Sequence, residues 1–223
     1  MTTRAPPRGG GTRDPRSAGL APTQRDRKVG SILAAARALF LDHGFDTVSM
    51  DMVARQAPVS KATLYAHFAS KEELFTAVVV DEAERMTDEI GRIVTDRSDI
   101  AAVLKRVAEK FVDIFLSEQA MFLQRAVIGV VPRFPSIGAA IFESGPKALT
   151  EHLAAFLGEA HRASKLHVPN PTLAAKQFLS LVRGDLDITR LLLPAAVPSR
   201  AELETQIEAG IDLFLRFYAP SET

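Results

Sequence analysis

The stretch Thr47–Lys71, TVSMDMVARQAPVSKATLYAHFASK, decides the fold of this chain. It predicts two short helices joined by a tight turn, with Ser60 as the N-cap of the second helix. The inner side of the pair is apolar, with Val48, Met52, Val53, Leu64 and Phe68. The outer side is polar and partly basic, with Lys61, Thr63, Tyr65, His67 and Lys71. A second helix with a hydroxyl cap and small residues at its start fits the DNA major groove, so we predict a DNA-binding head.

The flanking residues extend this pair into a larger helical unit. Arg25–His43 has apolar residues at helical spacing and predicts a first helix that packs behind the pair. Gly44 follows it as a residue able to take the left-handed conformation that ends a helix. Ser49 caps the first helix of the pair, and Ser70 caps a fourth helix that we expect to continue to about Thr95.

The rest of the chain also predicts helices. The clearest amphipathic stripe consists of Ile100, Val103, Leu104, Val107, Phe111, Ile114 and Phe115. Further helices are predicted around 121–131, 137–142 and 146–162. Asn170-Pro171 starts a helix to about Leu193, and Ser199 to Glu202 forms a capping box before a last helix that ends near Tyr218. Because no alternating strand pattern occurs, we predict an all-α fold.

Gly184 falls inside the helix predicted from Asn170 to Leu193. Glycine in the middle of a helix costs about 1 kcal/mol relative to alanine. We interpret it as allowing close approach of another helix at a dimer interface, beside the last helix. The alternatives are a slight kink or an exposed position.

Charge is distributed unevenly along the chain, although 27 Lys and Arg balance 27 Asp and Glu. Residues 1–80 carry 11 basic and 7 acidic residues, and the remainder carries 16 and 20. A basic head on an acidic body points to a polyanionic partner for the head.

We predict a disordered basic arm over 1–23, a helix-turn-helix DNA-binding domain over 24–71 and a helical effector-binding and dimerisation domain over 72–223. The arm is either an extra phosphate contact or a solubilising tail.

Several classes of site are absent from the sequence. The 223 residues contain no cysteine, which excludes disulfides and thiolate zinc sites. His152 and His161 do not have the i, i+4 spacing of helical metal ligands, and no HExxH motif or nucleophile elbow occurs. We therefore predict no catalytic residue, metal or cofactor. No apolar stretch is long enough for a membrane span or a secretory signal, which predicts a cytoplasmic protein without a membrane partner.

The segment ILAAARALFLDHGFDTVSMDMVARQAPVSKATLYAHFASKEELF resembles the N-terminal signature of the TetR family of bacterial transcriptional regulators. The segments FLQRAVIG, RFPSIGAAIFESGPKAL and AAKQFLSLVRGDL resemble the C-terminal domain of its AefR-like branch. The resemblance implies a homodimer, formed by the last two long helices, that binds a palindromic DNA operator. It also implies a ligand-binding domain for a small-molecule effector.

The resemblance further implies which residues contact DNA. Lys61, Ala62, Tyr65 and Ala66 match positions that face bases in the major groove. Ser49, Thr63, Tyr65, His67 and Lys71 match positions that contact backbone phosphates, and Ser60 completes the set as the cap of the recognition helix. From its chemistry alone, Lys61 could donate to guanine or only to phosphate. Tyr65 could donate to phosphate or pack in the core.

Two positions depart from the family pattern, because Pro58 and Ala62 stand where glycine is common. A left-handed conformation is closed to proline, so we expect the turn at Pro58 to adopt another geometry. Ala62 favours the helix and can contact a thymine methyl.

Aromatic residues are spread over the helices of the body. They form either an ordinary core or, in part, the lining of a cavity for an apolar or aromatic effector. The candidate polar anchors are Arg125, Arg183 and Asp185. The candidate ligand contacts that we select are Phe111, Phe115, Phe122, Arg125, Phe178 and Arg183.

The sequence therefore predicts a ligand-responsive transcriptional regulator, a repressor rather than an activator. Effector binding would tilt the fourth helix and change the spacing of the two recognition helices. Two alternatives remain open. One is a DNA-binding regulator controlled by its abundance or by a protein partner, and the other is a helical enzyme that carries a similar head.

Overall fold

The computed structural model describes residues 24–96 and 99–220, so the predicted arm over 1–23 lies outside the described residues. Within those ranges the chain is helical and contains no strand, which confirms the all-α fold class. The α-helices are α1 Gln24–Thr47, α2 Met50–Gln56, α3 Lys61–His67, α4 Lys71–Ile93, α5 Ile100–Phe115, α6 Glu118–Val130, α7 Pro135–Phe142, α8 Ala148–Arg162, α9 Pro171–Arg183, α10 Leu186–Leu192 and α11 Arg200–Phe217. A π-helical turn, Glu143–Lys147, joins α7 to α8.

The serines predicted as N-caps begin their helices as expected. The hydroxyl oxygens of Ser49, Ser60, Ser70 and Ser199 accept hydrogen bonds from backbone N–H groups of the first turns of α2, α3, α4 and α11. Each bond satisfies a donor that the helix itself cannot pair. Short helices depend most on such bonds, and α2 and α3 have only seven residues each.

Gly44 takes a positive φ of 75° with ψ at 167°, which breaks the helical path inside α1. The predicted positive φ is present, although the ψ value is extended rather than left-handed helical. The break turns Phe45 into the core, where its ring lies 5.0 Å from that of Phe75, between centroids. This contact fixes the end of α1 against the start of α4.

The prediction of one helix from Asn170 to Leu193 is wrong. Gly184 has a φ of 57° and ends α9, and α10 starts two residues later. A Cβ at Gly184 would lie 3.0 Å from the end of the Gln206 side chain, which would have to shift, and the positive φ strains any larger residue here. Gly184 therefore makes a turn inside one chain, and it is not the mid-helix contact that we expected.

The close helix approach occurs instead at Gly210 on α11. A Cβ there would lie 3.0 Å from the backbone carbonyl carbon of Leu181 on α9. Gln206, one turn earlier, donates from Nε2 to the carbonyl oxygen of Leu181 at 2.6 Å. These contacts hold α9 and α11 together as a rigid antiparallel pair.

The buried side chains form two cores. The head core includes Phe40, Val53 and Leu64, and it continues into α4 through Phe75 and Val78. It also takes in three residues from α6 and α7, namely Leu123, Val130 and Ile137. The body core is formed by α5, α8, α9, α11 and the second half of α4. Because α4 belongs to both cores, a displacement of α4 would be felt by the head and the body.

Pro58 takes a conformation other than the left-handed one, as expected, but not the one that its ring prefers. Its φ is 20°, so the turn between α2 and α3 approaches the positive-φ region although the proline ring prefers a φ near about −65°. Backbone strain of this kind costs roughly 1–3 kcal/mol. The contacts of the flanking helices hold the turn in place, including the hydrogen bond from Val59 N–H to the Ala54 carbonyl at 3.1 Å.

We expect Pro58→Gly to stabilise the head by about 1 kcal/mol, because relief of strain exceeds the added entropy of the unfolded chain. Chemical denaturation would measure the change. Pro132→Gly is the matched control, since Pro132 lies in a turn without a positive φ and its loss should destabilise the protein. If both variants destabilise the protein alike, Pro58 is not strained.

The start of α11 carries a complete capping box. Glu202 accepts hydrogen bonds from the backbone N–H and the hydroxyl of Ser199, both at 2.7 Å, and these bonds lower the pKa of the Glu202 carboxyl from its ordinary value of 4.5. A lowered pKa in the folded state means that this stabilisation is present above pH 4.5 and is lost as the pH falls through the lowered pKa.

We therefore expect Glu202→Gln to lower stability at neutral pH and to weaken the loss of stability on acidification. Urea midpoints at neutral and acidic pH measure both effects. Glu204→Gln, two residues further along α11, is the control for loss of an exposed carboxylate outside the capping box. Identical acid dependence in wild type and Glu202→Gln would contradict the assignment.

Candidate nucleic-acid interface and ligand cavity

The outer face of α3 presents the residues predicted to face DNA bases. This face exposes Lys61, Ala62, Tyr65 and Ala66. On the opposite side of the helix, Leu64 is buried in the head core. Tyr65 is 51% exposed, so its ring does not pack in the core of this chain. The four residues lie on one face of α3 and span about one and a half helical turns. Residues that contact base edges from a recognition helix are arranged in the same way.

The hydroxyl residues at the edge of this face hold the helix start in place. Ser60 Oγ accepts from the backbone N–H of Thr63 at 3.1 Å and lies 2.8 Å from the Thr63 hydroxyl. Ser49 lies exposed at the start of α2, while Thr63 and His67 are half-buried at the border of the face. The structure thus brings these predicted residues together at one end of the molecule.

Lys61 is held by an acidic residue that the sequence analysis did not single out. Its Nζ lies 2.6 Å from a carboxylate oxygen of Asp51 on α2. Both side chains are well exposed, with Lys61 at 66%, and exposed ion pairs contribute at most about 1 kcal/mol. Lys61 can therefore leave Asp51 for a DNA acceptor at little cost, and Asp51 would keep it oriented until then.

Lys71 is engaged inside the head. Its Nζ donates to the carbonyl oxygens of Phe45 at 2.8 Å and Asp46 at 3.2 Å, and it lies 4.5 Å from the centroid of the Phe45 ring. Two of its three donors are used in this way, so it joins the end of α1 to the start of α4. A phosphate contact, if made, would have to use the remaining donor or the backbone N–H at the helix start.

A partly open cavity of about 530 Å³ lies in the body and is lined by α4, α5, α6, α7, α8 and α9. Most of its wall is apolar, with Phe111, Phe115, Leu123 and Val127 among the residues that line it. The π-helical turn contributes Gly145 and Pro146. This turn is wider than an α-helical turn, which accommodates the proline that lacks an N–H donor. The volume is that of pockets for drug-sized molecules.

The candidate ligand contacts divide into two groups. Phe111, Phe115 and Arg183 line the cavity. Phe122, Arg125 and Phe178 do not belong to its wall. Phe178 packs against Phe214 in the body core, with ring centroids 5.2 Å apart, and Arg125 donates to the carbonyl oxygen of Arg190 at 2.8 Å. We therefore keep only the first group as proposed ligand contacts.

An ion-pair cluster joins the cavity wall to the head. Arg37 on α1 lies 2.7 Å from Asp81 and 3.0 Å from Glu82 on α4, measured between nitrogen and carboxylate oxygen. Glu82 itself lines the cavity. Arg85 also pairs with Asp81, at 3.1 Å, but lies on α4 and does not reach α1. Sequence reasoning missed this cluster because its partners are more than 40 residues apart and form no local pattern.

Large apolar side chains are exposed on both α9 and α11, and on α11 they lie beside the exposed ion pair of Asp212 and Arg216. Leu213 and Phe217 lie one turn apart on α11 and are 59% and 76% exposed, and Leu173 on α9 is also exposed. A patch of large apolar side chains on a rigid helix pair is typical of an interface with another protein chain.

Two further expectations concern the described ranges. Across residues 24–96 and 99–220, the helices are too short or too polar to cross a membrane. In the same part of the chain, His, Asp and Glu form no group of three or more that could hold a metal ion.

Helix α3 begins at the Ser60 cap, follows α2 after a short turn and exposes its outer face, and the rest of the described chain is helical. This arrangement is that of a transcriptional regulator of the helix-turn-helix class. Residues 32–78 match the model of the bacterial regulatory proteins of the tetR family, and residues 102–220 match that of the AefR-like transcriptional repressor C-terminal domain. The chain belongs to the TetR family of transcriptional regulators. Since this family consists of regulators, the prediction that the chain is not an enzyme is confirmed.

Individual relatives agree with this assignment. The chain is 35% identical over 89 residues to the transcriptional activator FasR of Mycolicibacterium smegmatis, a match that spans 40% of this chain and 41% of FasR. A TetR-family regulator from Mesorhizobium loti has a similar structure, with a TM-score of 0.84, 28% identity and coverage of 88% of this chain and 99% of the other. The flavonoid-responsive regulator FrrA has a TM-score of 0.72, 36% identity and the same coverage.

Proposed function

We propose that the chain is a homodimeric repressor that binds a palindromic operator and is released by a small apolar or aromatic effector. In this proposal 24–71 is the DNA-binding domain, and 72–223 binds the effector and dimerises. Each α3 enters the major groove of one half-site, and two such helices bind half-sites about 34–36 Å apart or at a multiple of that spacing. The proposed base contacts are Lys61, Ala62, Tyr65 and Ala66, and the proposed phosphate contacts are Ser49, Ser60, Thr63, Tyr65, His67 and Lys71.

The observation that carries the effector part is the position of Glu82. This residue lines the cavity and is also ion-paired to Arg37 of the head. A ligand that enters the cavity and displaces the Glu82 segment of α4 would therefore shift α1, and with it α2, which packs on α1 and contacts the recognition helix α3. A ligand shifts this equilibrium only to the extent that it binds the released state better than the DNA-bound state.

The relatives support the same proposal at a coarser level. FrrA is flavonoid-responsive by name, and the body matches a domain described as a repressor's. FasR is an activator, and its match spans less than half of its length. We therefore favour repression, and we choose a flavonoid as the first aromatic compound to test.

We expect naringenin, a flavonoid, to lower the operator affinity of the wild type by roughly 5–150-fold, the usual range of allosteric coupling. Fluorescence anisotropy of labelled operator DNA, with the sequence obtained by binding selection, measures the change. Arg37→Gln should reduce this factor several-fold, because it removes the ionic link between cavity wall and head. Arg85→Gln, which alters the same cluster without touching α1, should retain most of the response.

A regulator without small-molecule input is the alternative. It predicts that operator affinity is unchanged by naringenin and by a wider set of hydrophobic compounds, and that none of them raises the melting temperature. If naringenin lowers the operator affinity of Arg37→Gln as much as that of the wild type, ligand control is retained, but the proposed route through Glu82 is contradicted.

A further inference from the structure

Three hydrogen-bond donors of the cavity wall lie on one helix, α9; a fourth, Gln124 on α6, donates to the carbonyl oxygen of Phe115 at 3.5 Å. Lys176, Ser180 and Arg183 line the cavity from α9 at positions i, i+4 and i+7, which places them on one stripe. The other hydroxyl groups of the wall are engaged. Thr87 donates to the carbonyl oxygen of Ala83 at 2.8 Å, and Thr150 donates to that of Pro146 at 2.7 Å.

The charge on this stripe is positive and incompletely neutralised. Lys176 has no ion-pair partner among the described residues. Arg183 has Asp187 at 3.6 Å, which is longer than the roughly 2.7–2.9 Å of a strong charge-assisted hydrogen bond. Its Nε is buried and has no hydrogen-bond partner in the described structure. The acidic residue of the wall, Glu82, is ion-paired with Arg37 at 3.0 Å, and Arg37 also pairs with Asp81 at 2.7 Å.

The wall that faces these donors is apolar. The rings of Phe111 and Phe115 stack with centroids 5.2 Å apart, and the Arg183 guanidinium carbon lies 6.0 Å from the centroid of the Phe115 ring. A ligand that lies along the phenylalanines therefore reaches Arg183 with its end. The Arg183 side chain is 39% exposed, so a ligand acceptor can approach its guanidinium.

We propose that the effector is an amphipathic organic anion, whose carboxylate or phenolate oxygen contacts Arg183 and Lys176 while its apolar body lies against Phe111 and Phe115. This inference rests on the proposed effector function of the cavity and specifies the chemistry of its ligand. A planar guanidinium pairs well with a carboxylate, and the lysine adds a second positive charge.

Isothermal titration calorimetry with decanoate and 1-decanol tests the charge requirement with nearly the same apolar body. The wild type should bind decanoate at least roughly tenfold more tightly than 1-decanol, because a hydrogen bond to a charged group is worth more than a neutral one. Arg183→Gln should remove most of this preference, and Lys176→Gln should reduce it. Lys165→Gln, an exposed lysine in the loop between α8 and α9, is the control and should retain it.

Binding of a phenolate ligand is tested separately, by the pH dependence of naringenin binding. Naringenin should bind the wild type and Lys165→Gln more tightly as the pH rises through the ionisation of its phenol, and this pH dependence should be weaker in Arg183→Gln. A carboxylate preference or a phenolate pH dependence, lost with Arg183, supports the proposal.

Equal binding of decanoate and decanol, together with naringenin binding that is independent of pH and of Arg183, overturns the proposal. That result would leave the cavity as a site for neutral ligands. Failure of the proposed function would be seen separately, as an operator complex that no cavity ligand releases. Melting curves of each variant exclude unfolding as the cause of a lost preference.

Discussion

The double variant Lys61→Ala/Tyr65→Ala is expected to lose operator binding by at least about 100-fold, since each base or phosphate contact is worth roughly 1–3 kcal/mol and the proposed dimer carries two copies. Both side chains are exposed on the outer face of α3, and neither belongs to the head core. The loss should therefore occur without loss of the fold. Anisotropy on the selected operator measures the affinity, and circular dichroism confirms the helices.

The single variants separate the two roles left open for Lys61. If Lys61 contacts guanine, Lys61→Ala relaxes selectivity at one base position of each half-site. If it contacts phosphate, affinity falls on all sequences and the salt dependence becomes shallower by about one unit per contact. Lys165→Ala is the matched control because it removes an exposed lysine far from α3 in sequence. Unchanged operator affinity in the double variant would remove α3 as the recognition helix.

The second large effect concerns the dimer. Leu213→Asp/Phe217→Asp places two charges per subunit on the exposed apolar side of α11. If this side packs against its copy in a second chain, the variant should be monomeric, because carboxylates buried without partners are strongly unfavourable. Operator affinity should fall by roughly 10²–10⁴-fold, since the two heads are no longer linked.

Light scattering after size-exclusion chromatography gives the mass, and anisotropy gives the affinity. Phe142→Asp is the control, since Phe142 on α7 is similarly exposed but lies away from the α9–α11 pair in the chain. A Leu213→Asp/Phe217→Asp variant that stays dimeric and binds the operator normally would contradict the interface.

Local signals in the sequence predicted the fold class and the head. A serine cap, an apolar stripe and a capping box each depend on residues within four positions of one another, so the sequence displays them directly. The caps at Ser60 and Ser199 are examples, and the exposed outer face of α3 follows from the same spacing.

Backbone choices at special residues were harder to predict. Gly184 could continue a helix at a cost in stability, or it could end the helix with a positive φ. The residue packed against it, Gln206, belongs to a different helix and is distant in sequence. At Pro58 the packing of α2 and α3 overrules the intrinsic preference of the ring, so propensity alone could exclude the left-handed conformation but could not give the observed φ.

Long-range contacts were not predictable from spacing at all. The pairing of Arg37 with Glu82 and the use of Lys71 to hold the Phe45 carbonyl depend on how α1 meets α4. The cavity could not be predicted for the same reason, because it is formed by residues of several helices that meet only in the folded chain. Composition could suggest that phenylalanines line a cavity, but it could not separate Phe115 in the wall from Phe178 in the core.

The most direct measurement is an anisotropy titration of the wild type against the DNA upstream of its own gene and against a scrambled duplex, at two salt concentrations. We predict tight binding to the upstream DNA at both salts, with a preference of roughly 10³-fold or more over the scrambled duplex. Weak binding that is equal on both duplexes and is lost at moderate salt is the signature of phosphate contacts alone. If binding selection on random DNA then also yields no preferred sequence, the claim of a sequence-specific regulator is contradicted.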